Sequence, residues 1–298
     1  MKKKVKVGVI GCGVMGGFHV KQYGNIPEVE FVGVSDIDPA RAPQSIKFFN
    51  DYVDLLKAVD AVSITTPTST HFDIGMAALD AGCHVLIEKP ISVTVDQGKK
   101  LIQKAKSKKK VLAVGHIERF NPAYTALKKC LKNKAPQVID IKRLSPLPAR
   151  ITDVSCVIDM MIHDIDLAID LAGSTVKTLK ASGKKVATNR LDQANAVLVF
   201  KNGVIANIEA SRVHSDKVRK LIAAGKEIYE ADLLNKSLKR SVAGRSESLE
   251  TKALDQLNAE LRDFINSILS KKRPLITGED GLNALEVANM IEEAGARS

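Results

Sequence analysis

With 298 residues, 45% of them hydrophobic, the chain is long enough for two modest domains, each with its own core. No apolar run approaches the ~20 residues that cross a bilayer, so no membrane partner is expected. The formal charge of +11 raises the question of nucleic acid, but the excess is +4 over residues 1–118 and +7 over the rest. No basic tail or domain stands out, and no nucleic-acid partner is expected.

The first three lysines lead straight into Val5–Ile10, a short apolar strand of the kind buried in a parallel sheet. A signal peptide would need a longer apolar stretch and a cleavage site, so a cytoplasmic setting is expected. Four dispersed cysteines, Cys12, Cys83, Cys130 and Cys156, form no CxxC pair and fit a reducing compartment.

The strand runs into Gly11-Cys12-Gly13-Val14-Met15-Gly16, which matches the GxGxxG dinucleotide fingerprint. Gly11 permits the tight turn, Gly13 lets the backbone approach a pyrophosphate, and Gly16 lets the next helix lie close to the sheet. The phosphates then face free N–H groups at the start of a Val14–Tyr23 helix. A second strand, Val29–Ser35, ends at Asp36, twenty residues after Gly16. A carboxylate there accepts hydrogen bonds from the adenosine ribose and repels a 2′-phosphate, so NAD is expected over NADP. Arg41 is the residue nearby that could instead favour the phosphate.

Alternation continues with a helix at Tyr52–Leu56, a strand at 61–65, a helix at 70–81 capped by Ser69 or Thr70, a strand at 83–87, a helix at 94–108 and a strand at 111–114. This rhythm predicts a doubly wound α/β domain over residues 1–118. Thr66-Pro67 and His71 follow one strand, and Glu88-Lys89-Pro90 follows another, at the sheet edge where such folds bind ligands.

After Gly115 the rhythm changes, and residues 119–298 are read as a second domain for substrate binding and oligomerisation. Asn121-Pro122 starts a helix, Val138–Leu144 is a strand, and 157–171 carries apolar residues at helical spacing. Strands follow at 178–181, 194–200, 204–211, 217–223 and Ile228–Asp232, with Asn202-Gly203 as a hairpin signal. Consecutive strands with short turns predict a large, predominantly antiparallel open sheet. A polar loop is expected at 244–248 and helices at 250–271 and 278–293, which could pack back on the first domain.

Two constellations carry chemistry. Lys89, held at a strand end before a proline, can reach a substrate hydroxyl; the bland alternative is that Glu88 and Lys89 are exposed polar residues. In Asp159-Met160-Met161-Ile162-His163-Asp164-Ile165-Asp166, the pairs Asp159/His163 and His163/Asp166 share a helical face. Histidine can take an alcohol proton while a carboxylate fixes its tautomer. The same group could bind a metal, but it shows no metal signature and hydride transfer to NAD needs none, so no metal is expected.

These motifs, with His19 and Arg119-Phe120-Asn121-Pro122, resemble the glucose-fructose oxidoreductase / inositol dehydrogenase / MocA family of NAD(P)-dependent sugar oxidoreductases across nearly the whole chain. The resemblance implies a Rossmann domain followed by an α/β domain with a large open sheet, and assembly into a homodimer or homotetramer. It also implies that Lys89 is the active-site lysine, Asp159 a substrate-side carboxylate, and His163 an acid–base or orienting group. Thr66, Pro67, His71, Glu88 and Lys89 join residues 11–16 and Asp36 as cofactor contacts. Many relatives carry a glycine where Met161 stands, which argues against a simple polyol substrate. Residues 115–122 and 159–165 look most like the subgroup that oxidises UDP-N-acetylglucosamine at the sugar 3-position to a keto sugar, which an aminotransferase usually consumes. A nucleotide-sugar would need cations for its diphosphate, and Arg119, Arg143 and Arg150 are the candidates, with Asn121 beside them. The alternatives are a dehydrogenase of another sugar or cyclic polyol, or a non-catalytic NAD-binding sensor.

Overall fold

The structure, a computed structural model, describes residues 4–132, 134–147 and 154–297. The chain divides into two compact units, one of residues 1–117 with 255–282, the other of residues 118–254 with 283–298.

In the first unit, β1 (Val5–Ile10) leads into helix α1 (Val14–Tyr23), then β2 (Val29–Ser35), the two-residue β3 (Phe48–Phe49) and α2 (Tyr52–Leu56). β4 (Ala61–Ile64), α3 (Thr68–Asp80), β5 (His84–Glu88), α4 (Val95–Lys108) and β6 (Leu112–Gly115) follow. The strands form one parallel sheet in the order β3-β2-β1-β4-β5-β6, with the order reversing between β1 and β4. β1, β4 and β5 are almost wholly buried because helices cover both faces, which is why they read as continuous apolar runs.

Helix α3 starts two residues earlier than its pattern suggests. Pro67, not Ser69 or Thr70, occupies the cap position, and the Thr70 hydroxyl bonds Pro67 O and Thr66 Oγ1 instead. Helix α4 is fixed by a capping box between Thr94 and Gln97 and ends at Lys109 in the left-handed conformation.

His84 opens β5 and accepts a hydrogen bond from Val111 N on Nδ1 at 2.9 Å, so that nitrogen carries no proton. Burial first, and then the charge of Lys110, lower its pKa from 6.5 to about 4. The unfolded chain therefore binds a proton that the native state refuses between these values. Stability is unaffected above pH 6.5 and falls as pH drops towards 4. Urea melts of the wild type and of His84→Gln across this window check it, since the variant should lose that part of the slope.

A 3-10 turn at Ile117–Phe120 carries the chain into the second unit, where α5 (Pro122–Leu131), β7 (Val138–Leu144), a π-helical turn at Val157–Met161 and α6 (Ile162–Ala172) follow. The single helix expected at 157–171 is therefore two segments, wider in its first turn. Strands β8 (Val176–Lys184), β9 (Gln193–Phe200), β10 (Ile205–Ser211), β11 (Val218–Ala224), β12 (Ile228–Asp232), β13 (Ser237–Val242) and β14 (Arg245–Leu249) complete an eight-stranded sheet. Its order is β14-β13-β12-β11-β7-β10-β9-β8, antiparallel except where β10 runs parallel to β7. Gly203, at φ +88°, makes the turn after β9 that Asn-Gly signalled.

One sheet face carries alternating buried side chains, among them Ile139, Ile141, Ala196, Leu198, Ala206 and Ile208, packed with α5 and α6. The polar loop expected at 244–248 is instead an edge strand: Ala243 and Gly244 turn at positive φ, and Arg245–Leu249 pairs with β13. Its side chains are exposed, so no apolar alternation announces it.

The last helices are α7 (Gln256–Ser270) and α8 (Gly278–Ala296). The helix expected at 250–271 starts at 256 because Asp255 caps it, accepting from Asn258 N at 3.0 Å. Leu257, Leu261, Phe264 and Ile265 of α7 join the core around β1 and α1.

Candidate active site

The first unit builds a cofactor cradle. Gly11 sits at φ +95°, and a Cβ there would lie 2.8 Å from Thr66 N. At Gly16 a Cβ would come within 1.9 Å of Gly11 O, so no side chain fits between helix and turn. Above Gly13 the space is open, with nothing within 4 Å of a Cβ position. Gly13 is also the cap of α1, and no side-chain hydrogen bond caps that end. An open backbone at a helix amino end, with Val14 and Met15 in its first turn, fits a pyrophosphate.

Asp36 holds this turn from the neighbouring strand. Its Oδ2 accepts from Cys12 N at 2.5 Å and its Oδ1 from Asp38 N at 2.9 Å. Both bonds come from backbone N–H groups, so the carboxylate is oriented before any ribose arrives. The Cys12 thiol is pushed up to about 11 by burial and then by Asp36, which leaves it unreactive near neutrality. Arg41 faces Asp38 at 3.4 Å, so an acidic partner already offsets the charge that a 2′-phosphate would need. Ile37, 98% exposed beside Asp36, is an apolar side chain the sequence reading passed over. Its signal was its place directly after Asp36, the acid that follows β2.

Asp36→Asn should lower kcat/KM for NAD by about 10- to 100-fold, the worth of charge-assisted bonds to a diol, and should lower that for NADP less. Cofactor kinetics of the two proteins check this.

Two of the expected cofactor contacts do other work. His71 is buried, with Nδ1 2.8 Å from Pro90 O and Nε2 2.9 Å from Thr66 O. It ties the loop after β4 to the loop after β5, and its ring nitrogens have no face left for a cofactor. The Glu88 carboxylate meets His19 Nε2 at 3.1 Å and accepts from Lys89 N at 3.3 Å. It therefore belongs to the interior behind the strand end. Thr66, Pro67 and half-buried Lys89 stand at the carboxyl ends of β4 and β5, on the ligand-binding edge of the sheet.

In the second unit Asp159 lies in the π-helical turn and His163 in the first turn of α6; both are half-buried. The neighbouring acids are anchors. Asp166, expected to serve His163, forms a bidentate pair with Arg119 at 2.7 and 2.6 Å. Asp170 adds a third contact to Arg119 at 3.1 Å. Arg143 is held by Asp164 at 2.8–3.0 Å and by Glu118 at 3.0 Å.

The expectation that Arg119 and Arg143 meet a diphosphate is thereby corrected. Both are buried, and each grips one fully buried carboxylate, Asp166 or Asp164, in a bidentate pair that turning away would break, with Asp170 or Glu118 alongside. Asn121 is likewise occupied: its Oδ1 caps α5 through Ala123 N, and its amide donates to Glu118 and to Leu233 O. Arg150 lies outside the described residues.

Comparison with known proteins agrees with this architecture. Residues 5–116 match an oxidoreductase family with an NAD-binding Rossmann fold, and residues 145–227 match the GFO/IDH/MocA C-terminal domain. The chain is also 35% identical to the UDP-N-acetylglucosamine 3-dehydrogenase of Acidithiobacillus ferrooxidans, over 97% of both chains.

The chain belongs to the Gfo/Idh/MocA oxidoreductase family.

A solved structure of that same relative superimposes with a TM-score of 0.94, covering 98% of this chain and 97% of the other. The myo-inositol 2-dehydrogenase of Thermotoga maritima is 28% identical over 94% of this chain and 93% of its own. Membership makes the protein an NAD-binding oxidoreductase, with the family's parallel sheet followed by a mostly antiparallel one. Among the described residues, no helix is long and apolar enough to cross a membrane.

Proposed function

We propose that the protein oxidises the 3-hydroxyl of a UDP-sugar, UDP-N-acetylglucosamine above all, to the 3-keto sugar with NAD as acceptor. The observation that carries this reading is the end-to-end match to the A. ferrooxidans UDP-N-acetylglucosamine 3-dehydrogenase, which leaves neither chain with an unmatched domain.

Residues 11–16 would hold the pyrophosphate, Asp36 the ribose, and Ile37 the face of the adenine. When bound, NAD supplies the hydride acceptor. As an ammonium, Lys89 would hold the sugar oxygen and stabilise its charge while His163 takes the hydroxyl proton; as a neutral amine, Lys89 would take that proton itself. Asp159 holds the sugar and orients the imidazole. Arg150 remains the proposed diphosphate contact, because Arg119 and Arg143 are committed to carboxylates.

We further propose that the protein works in the cytoplasm as a homodimer or homotetramer. The sheet face away from the helices carries Val138, Val197 and Ile205 as exposed apolar groups between polar ones such as Asn195 and Lys142. A second copy of the chain would cover it.

NADH formation is to be measured across UDP-sugars, free sugars and inositols, because inositol dehydrogenases are also among the relatives. Turnover with UDP-N-acetylglucosamine at the highest kcat/KM supports the proposal. Preference for inositols would replace it with a polyol reading, and binding without turnover with a sensor.

A further inference from the structure

Behind the strand that carries Lys89, the first unit contains a cluster that the proposed chemistry does not use. α1 supplies His19, the end of β5 supplies Glu88, and α7 supplies Glu260. One nitrogen or oxygen from each lies within 4.8 Å of those of the other two. His19 is fully buried and Glu260 is 4% exposed. Gly115 keeps room for the group, since a Cβ there would stand 3.0 Å from the Glu88 carboxylate.

The cluster is under-satisfied. Among the described residues, neither oxygen of Glu260 has a hydrogen-bond partner, and neither does His19 Nδ1. Nearby groups are already engaged: the Tyr23 hydroxyl bonds Ser63 at 2.6 Å, and Asp263 Oδ2 accepts from Leu275 N at 2.7 Å. Burial first, and the charge of Glu88 second, push the Glu260 carboxyl well above its usual range. Two buried carboxylates at this separation repel unless a cation or a proton lies between them, and the His19 imidazole beside Glu88 adds a metal-ligating nitrogen to the pair.

We infer that His19, Glu88 and Glu260 form a binding site for one divalent transition-metal ion. One imidazole and two carboxylates suit zinc or manganese, with water completing the coordination. Calcium and magnesium fit poorly, since they favour all-oxygen sets of six or more ligands. The ion would neutralise both carboxylates and join three elements: the helix behind the phosphate turn, the strand leading to Lys89, and α7 from far along the chain. It is a structural staple, and it stands whichever sugar the enzyme takes.

The full-length protein is stripped with a chelator and titrated with Zn²⁺ and with Mn²⁺ by calorimetry and thermal melting. Crystals soaked in Mn²⁺ are examined by anomalous diffraction. Expected are one equivalent bound, a melting temperature raised by about 5 °C at saturating metal, and affinity reduced about 10- to 100-fold in Glu260→Gln and His19→Gln. An anomalous peak should lie among the three side chains. No stoichiometric binding, equal binding by the variants, or a water without anomalous signal in that place would overturn the site. Should the variants fail to fold, the wild-type anomalous map decides alone.

Discussion

Replacing Lys89 with methionine will lower kcat by about a hundred- to ten-thousand-fold while NAD affinity stays within about threefold. The reason is positional. The cradle at residues 11–16 and Asp36 is built from β1, α1 and β2, whereas Lys89 stands at the end of β5. Methionine keeps much of the side chain's length and removes its charge and its donors. Binding of the cofactor should therefore survive, and proton transfer from the sugar should not. His163→Asn should give a second large loss, and the pH profiles separate the two residues. Whichever variant loses the ascending limb of kcat/KM at low pH lacks the base. An unchanged kcat in Lys89→Met, with sugar-nucleotide and NAD saturating, would remove Lys89 from the chemistry.

Arg143→Met will destabilise the protein by about 3–5 kcal/mol, the usual cost of leaving a buried carboxylate without its cation. Asp164, fully buried, loses its bidentate partner, while Glu118 keeps Arg219 and Asn121. For a chain of this size the loss should lower the melting temperature by about 10 °C. The protein that remains folded should keep its KM for the sugar-nucleotide. That pairing separates an internal strut from a diphosphate clamp, because a clamp would raise KM and leave stability nearly unchanged. Arg143→Met combined with Asp164→Leu should regain part of the lost stability, since it removes a charge as well as its partner.

The first unit was largely legible because its local signals agree with its tertiary ones. The apolar run of β1, the three glycines and the acid after β2 each need the others, and the sheet order follows from the alternation of strands and helices. β3 was not legible, since Phe48-Phe49 is too short to show a period. β13 and β14 escaped for the opposite reason. β14 is the edge strand and β13 its neighbour, and their side chains are mostly polar and little buried, so hydrophobic alternation hardly marks them.

The arginines show a different limit. Periodicity places a residue on a face but does not name its partner across the fold. A signal was nevertheless present. Asp164, Asp166 and Asp170 sit on α6, a helix that is otherwise mainly apolar, so the first two were bound to be buried and to require cations. Read that way, Arg119 and Arg143 were the cations available from the segments on either side of Pro122. The His19–Glu88–Glu260 group had no comparable signal, because its three members lie far apart in sequence and converge only when α7 packs beside α1.

The most direct measurement uses UDP-N-acetylglucosamine carrying deuterium at carbon 3 of the sugar. Incubated with the enzyme and NAD, it should yield deuterium in the reduced nicotinamide by mass spectrometry, with a 3-keto sugar as product. Reduced cofactor without the label would place the oxidation at another carbon, and no reduction at all would contradict the proposed chemistry outright.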